Sequence, residues 1–117
     1  MEAQGKAKAA LTFALYQGDQ LLRRETLAQD MVKIGKDPRG HLRIDDEQAA
    51  LRHAMIEVAA EDDVTLIDLG FEPGTLVNGK RITKAKIVAG DQIQIGGTVV
   101  ILEAIGPADG VVAAVPA

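Results

Sequence analysis

The sequence predicts an all-β fold: a β-sandwich of two mainly antiparallel sheets made of about ten to eleven short strands. Three observations lead there. Short apolar or alternating segments recur along the chain, separated by glycine, proline and acidic residues. Asn78, the only asparagine, directly precedes Gly79 between two apolar segments, and Asn-Gly tolerates the positive φ angles of a type I′ hairpin turn. Gln92-Ile93-Gln94-Ile95 alternates strictly, which gives a strand one dry face and one wet face.

The elements follow in order. Residues 1–9 are small and polar and read as a disordered leader, with the domain itself over 10–104. Leu11 to Tyr16, the turn Gln17-Gly18-Asp19-Gln20, and Leu21 to Leu27 form a hairpin signature. Met31-Val32-Lys33-Ile34 is a further strand, stopped by Gly35 and then by Pro38 and Gly40. Leu42-Arg43-Ile44 alternates until Asp45-Asp46. Residues 54–58 and 64–69 flank the acidic 60–63 segment, again as a hairpin. The alanine-rich 47–60 segment also fits a helix with Leu51, Met55 and Val58 on one face; the Ile56-Glu57-Val58 alternation favours a strand from about Ala54. Gly96-Gly97 turns the chain into Thr98 to Leu102, an apolar run suited to burial, and Ile93, Ile95, Val99 and Ile101 read as core. Residues 105–117, rich in Gly, Pro and Ala, read as a flexible tail or linker.

Composition narrows function. The 117 residues are enough for one domain with its own core. A net charge of −4 argues against a nucleic-acid or anionic-membrane binder. With no cysteine, thiol chemistry, disulfides and Cys-ligated zinc are excluded, and a reducing cytoplasm is compatible. With no serine either, both common nucleophiles are missing. Neither His41 nor His53 has a histidine four residues away, so metal ligation is not expected; no cofactor is expected. No apolar run approaches the ~20 residues of a membrane helix. The expected location is cytoplasmic.

From Ile34 to Leu102 the segments resemble the forkhead-associated (FHA) domain. That family runs from an apolar residue and Gly-Arg to an acidic-polar loop and Ser-Arg-x-His-Ala. Asp-Leu-Gly, a Gly-Thr-x-x-Asn-Gly hairpin and Gly-Asp-x-Ile-x-Ile-Gly follow. Here the counterparts are Ile34-Gly35-Lys36, Leu42-Arg43-Ile44-Asp45-Asp46, Ala50-Leu51-Arg52-His53-Ala54, Asp68-Leu69-Gly70, Gly74-Thr75-Leu76-Val77-Asn78-Gly79 and Gly90-Asp91-Gln92-Ile93-Gln94-Ile95-Gly96. Gly35 and Gly74 are read as places where a strand leaves its sheet sharply, and His53 as a ring that ties loop backbone together.

The resemblance implies a non-catalytic module that recognises phosphothreonine peptides of another protein through loops at one end of the sandwich. It also places this chain's departures at the residues that matter. Lys36 stands at the arginine position, so a bidentate fork becomes a point donor. Ala50 replaces a donating serine, and Leu51 follows it in place of a polar residue. Phe71-Glu72-Pro73 replaces hydroxyl and amide side chains. A hydrogen bond to a charged group is worth about 1.5–3 kcal/mol, so two lost donors plus carboxylate repulsion exceed about 4 kcal/mol, roughly a thousand-fold in Kd. The expectation is a protein-interaction module of signalling or assembly, monomeric as an isolated domain, with phosphothreonine recognition lost. Binding loops are then Lys36, Ala50, Leu51, Arg52, Phe71, Glu72 and Pro73, shaped by Gly35, His53, Gly74, Thr75, Asn78 and Gly79. The alternative is residual phosphopeptide binding through Lys36, Arg39, Arg52 and backbone amides.

Two other classes have weaker support. Catalysis would need carboxylates such as Asp45-Asp46-Glu47 or Asp62-Asp63, which beside turns read as solvated loop faces. Lys80, Arg81, Lys84 and Lys86 make a basic patch without interleaved aromatics, better read as the exposed faces of a hairpin and the loop after it.

Overall fold

A computed structural model describes residues 7–108. Eleven strands form two sheets. They are β1 (Ala10–Gln17), β2 (Gln20–Leu27), β3 (Met31–Gly35), β4 (Leu42–Arg43), β5 (Ala54–Ala60), β6 (Asp63–Asp68), β7 (Thr75–Val77), β8 (Lys80–Ile82), β9 (Lys84–Lys86), β10 (Gln92–Ile95) and β11 (Thr98–Gly106). The six-stranded sheet has the order β2-β1-β11-β10-β7-β8 and is antiparallel throughout. The five-stranded sheet, β4-β3-β5-β6-β9, is mixed because β3 and β4 run parallel.

Alternation decides which side chains meet between the sheets. Leu11, Phe13 and Leu15 of β1 face Val32 and Ile34 of β3, Ile56 and Val58 of β5, and Leu66 of β6 within one buried cluster. The same period corrects the reading of β11. Val100 and Leu102 are buried, and Val100 lies opposite Ile93. Val99 and Ile101 therefore point to the outer face, where with Tyr16 they line an open groove rather than the core. Of the four residues expected as core, only Ile93 and Ile95 are buried.

Other expectations fare differently. The helical alternative over 47–60 is not formed: 54–60 is β5, paired to β3 and β6. β9 was expected as loop. Lys84-Ala85-Lys86 has no apolar pair to announce a strand, yet it crosses from β8 to the edge of the other sheet and pairs with β6. Ala9 is fully buried and β11 continues through Gly106. The rest of the expected leader and tail, 1–6 and 109–117, lies outside the described residues.

The two poles of the sandwich differ. At one, the β3–β4, β4–β5 and β6–β7 loops meet the β1–β2 and β10–β11 turns. At the other, Ala10 pairs with Gly106, so the chain enters and leaves β structure side by side.

Candidate functional site

The site pole is assembled by backbone bonds between loops. Lys36 N–H donates to Ala50 O (3.0 Å) and Asp37 N–H to Leu51 O (3.1 Å), zipping the β3–β4 loop to the β4–β5 loop. Gly35 makes this possible, for a reason other than the expected sharp exit from the sheet. Its backbone is not in the left-handed region; a Cβ on it would lie 2.2 Å from Leu51 O and 2.8 Å from Ala50 O. The glycine is an approach surface for a neighbouring backbone.

The His53 ring bridges two loops. Fully buried, its Nδ1 accepts from Ala50 N–H (3.0 Å) and its Nε2 lies 2.9 Å from Gly74 O. Because Nδ1 accepts, Nε2 carries the proton and donates. One ring thus joins the β4–β5 loop to the β6–β7 loop, and Leu69 N–H adds a bond to His53 O (3.1 Å). Gly74, at φ +89°, does occupy a conformation that favours glycine. It donates to Phe71 O (2.8 Å), closing a turn in which the Glu72–Pro73 peptide is cis. Thr75, buried, donates to Asp68 Oδ1 (2.7 Å), and Asp68 Oδ2 accepts from Gly70 N–H (3.1 Å). Asn78 and Gly79 both have positive φ, as a type I′ turn requires. They sit at the opposite pole, where Asn78 clamps the hairpin to Asp91 and Gln92.

Charge at the site is largely internal. Asp37, 5% exposed, accepts from the backbone and guanidinium of Arg39 and faces Arg52 Nε at 3.6 Å. The Arg39 hydrogen bonds, helped by the charges of Arg39 and Arg52, hold its carboxyl far below the usual carboxylate range against the opposing effect of burial. Glu72 pairs with Arg81 of β8 (3.2 Å). Lys36 makes no ion pair among the described residues, although its charge reaches Asp46.

Asp46 overturns the reading of Asp45-Asp46-Glu47 as a solvated face. It is buried, and its carboxylate accepts from Gln48 N–H, Gly97 N–H and the Thr98 hydroxyl, each at 2.9 Å. Burial pushes its carboxyl up, but these donors and the charge of Lys36 outweigh it and leave it lowered. Asp46 pins the β4–β5 loop to the β10–β11 turn.

Every expected binding-loop residue reaches this pole. Leu51 is 64% exposed and Phe71 49%, so Leu51 does not plug its loop and Phe71 does not fold away against the sandwich. Sequence reasoning missed the site roles of Asp37, Asp46, Asp68 and Arg81. Asp68 carried a signal as the head of Asp-Leu-Gly, and Asp46 only as part of an acidic segment. Among the described residues no cluster of three or more His, Asp or Glu side chains is placed to hold a metal ion.

A sandwich whose loops interlock at one pole around exposed side chains defines a class, the loop-built binding module. The FHA domain model matches residues 32–96, more than half of the chain, and the chain belongs to the FHA family; FHA domains are non-catalytic modules that bind phosphothreonine peptides of other proteins. Among solved structures, it is 25% identical to an FHA domain studied for phosphothreonine-dependent interactions, with a TM-score of 0.72 over 81% of this chain and 96% of that one. It is likewise 25% identical to the FhaA FHA domain, solved in complex with the intracellular domain of Rv3910, with a TM-score of 0.69 over 81% and 98%. The FHA domain of CT664 from Chlamydia trachomatis shares the fold, with a TM-score of 0.73 over 81% and 97% at 21% identity. No curated protein matches the chain.

Proposed function

We propose that this FHA domain is a non-catalytic protein-interaction module that has given up most phosphothreonine affinity and engages its partner through the Leu51–Phe71 face. The observation that carries the reading is a shortage of donors. A dianionic phosphate needs a cation with convergent hydroxyl and amide donors. Ala50 and Pro73 have no side-chain donor, and Glu72 brings a carboxylate. The backbone amides of Lys36, Asp37 and Ala50 are already committed to Ala50 O, Leu51 O and His53 Nδ1. Over residues 36–53 and 69–74 four Lys and Arg face five Asp and Glu, so these loops carry no surplus positive charge. In their place stand two exposed apolar side chains, and exposed apolar clusters are where partners dock.

The test is an amide NMR titration with degenerate peptide libraries centred on phosphothreonine or on threonine. The reading expects no preference for phosphate beyond about threefold, against the roughly thousand-fold loss that the missing donors imply. Phe71→Ala should remove the peptide-induced shifts while leaving the rest of the spectrum in place. Strong shifts at Lys36, Arg52 and the 71–75 loop with the phosphorylated library alone would sink the reading. They would establish the second one instead, a residual phosphopeptide site, which the cations of Lys36 and Arg52 favour.

A further inference from the structure

The loss of donors leaves a specific remainder. The β3–β4 loop and the loops that carry Leu51 and Phe71, with Arg81 of β8 paired to them, hold the cations Lys36, Arg39 and Arg52, the paired carboxylates Asp37 and Glu72, the buried Asp46 and the exposed Asp45 and Glu47. Glu72 is matched by Arg81. Asp37 serves two guanidinium groups at once, with Arg39 in full hydrogen-bond contact and Arg52 held only at 3.6 Å. Arg52 therefore keeps donors in hand, and its side chain is 48% exposed. Lys36 has no salt bridge among the described residues. It runs beside Ala50 in the backbone zipper, two residues from Arg52. Asp46, on which its charge acts, already accepts three hydrogen bonds.

We infer that this pole recognises an unphosphorylated acidic–apolar peptide motif of a partner protein, a glutamate or aspartate carboxylate held by Lys36 and Arg52 with a neighbouring apolar side chain against Leu51 and Phe71. A carboxylate carries one charge and needs few donors, which an ammonium and a guanidinium edge supply. A phosphate brings a second charge and a third oxygen, and the side chains of Ala50 and Pro73 offer no donor for it. Charge complementarity thus selects a monoanion where the family takes a dianion, and the flanking apolar pair provides desolvated area that a carboxylate alone cannot. The inference rests on the reading that phosphate recognition is weakened, and it adds what replaces the phosphate.

The experiment uses the 117-residue chain and three degenerate peptide libraries that differ only in the fixed central residue: threonine, glutamate or phosphothreonine. Amide shifts at Lys36, Leu51, Arg52 and Phe71 should be largest with glutamate, and phosphothreonine should not exceed it. Lys36→Gln and Arg52→Gln, each checked for an otherwise unchanged spectrum, should each weaken glutamate-library binding about tenfold, the loss expected for one charge-assisted hydrogen bond. They should weaken threonine-library binding less than glutamate-library binding. Equal binding of the glutamate and threonine libraries would overturn the carboxylate inference while leaving an apolar docking face intact. Phosphothreonine binding more than about tenfold tighter than glutamate, a step of one full charge-assisted bond, would overturn both. No shift with any library would overturn the inference as well, because the pole would then not be a peptide site of this chemistry.

Discussion

At the residue scale, the site is set by atoms too close together or too well bonded to change freely. Gly35→Ala would force its Cβ into Leu51 O at 2.2 Å, and that neighbour is backbone, which cannot swing away. The loops must part, at a cost of about 1–3 kcal/mol, the range for overpacking a tight contact. Urea unfolding should show that loss, and the amides of Lys36 and Asp37 should exchange faster once the zipper opens. Such details were hidden in the sequence. Gly35 could be recognised as important from Ile34-Gly35-Lys36, but its reason lies in Leu51, a neighbour in space from another loop. Asp46 was less legible still. Its donors include Gly97 and Thr98, about fifty residues away along the chain, so nothing local distinguished it from Asp45 or Glu47 on the solvated side.

At the element scale, legibility followed periodicity. β5, β6 and β10 announce themselves because their apolar residues alternate and bury one face. β9 does not, because an edge strand with two exposed lysines needs only backbone pairing to β6, and lysine at an edge discourages further pairing. The β7–β8 hairpin was legible from two residues. Asn78 does two things there: it accepts φ 52°, and its side chain bonds Asp91 and Gln92. The two roles separate by mutation. Asn78→Gly keeps the turn and loses the clamp, whereas Asn78→Ala loses both. The alanine variant should therefore be less stable than the glycine variant by about 1 kcal/mol, the cost of a Cβ at positive φ. Thermal unfolding of the pair measures it, and equal stabilities would mean that the clamp alone matters.

At the scale of the whole molecule, buried polar groups tie stability to pH. His41 is lowered below the usual histidine value by burial and then by the charge of Lys33, while Lys33 N–H donates to its Nδ1 (3.0 Å). The unfolded chain therefore takes up its proton first. Stability should begin to fall as pH drops below about 6.5 and continue falling to the lower folded value. Asp37 and Asp46 are lowered as well, so the stability they contribute is present above about 4 and is lost as pH falls through their folded values. Urea midpoints between neutral pH and pH 3 should fall in two limbs. His41→Gln should flatten the upper limb and Asp46→Asn part of the lower. A profile level down to pH 5 would contradict the assignment to His41.

The pairing of Ala10 with Gly106 has a mechanical consequence. Both ends of the β structure sit together at the pole away from the binding loops, on adjacent antiparallel strands. Tension applied through the two ends would act across the ladder rather than along it, breaking its hydrogen bonds one after another from Ala10–Gly106 toward Gln17–Thr98. This domain should yield at low force like a zipper. A ligand seated at the binding pole would feel the load last.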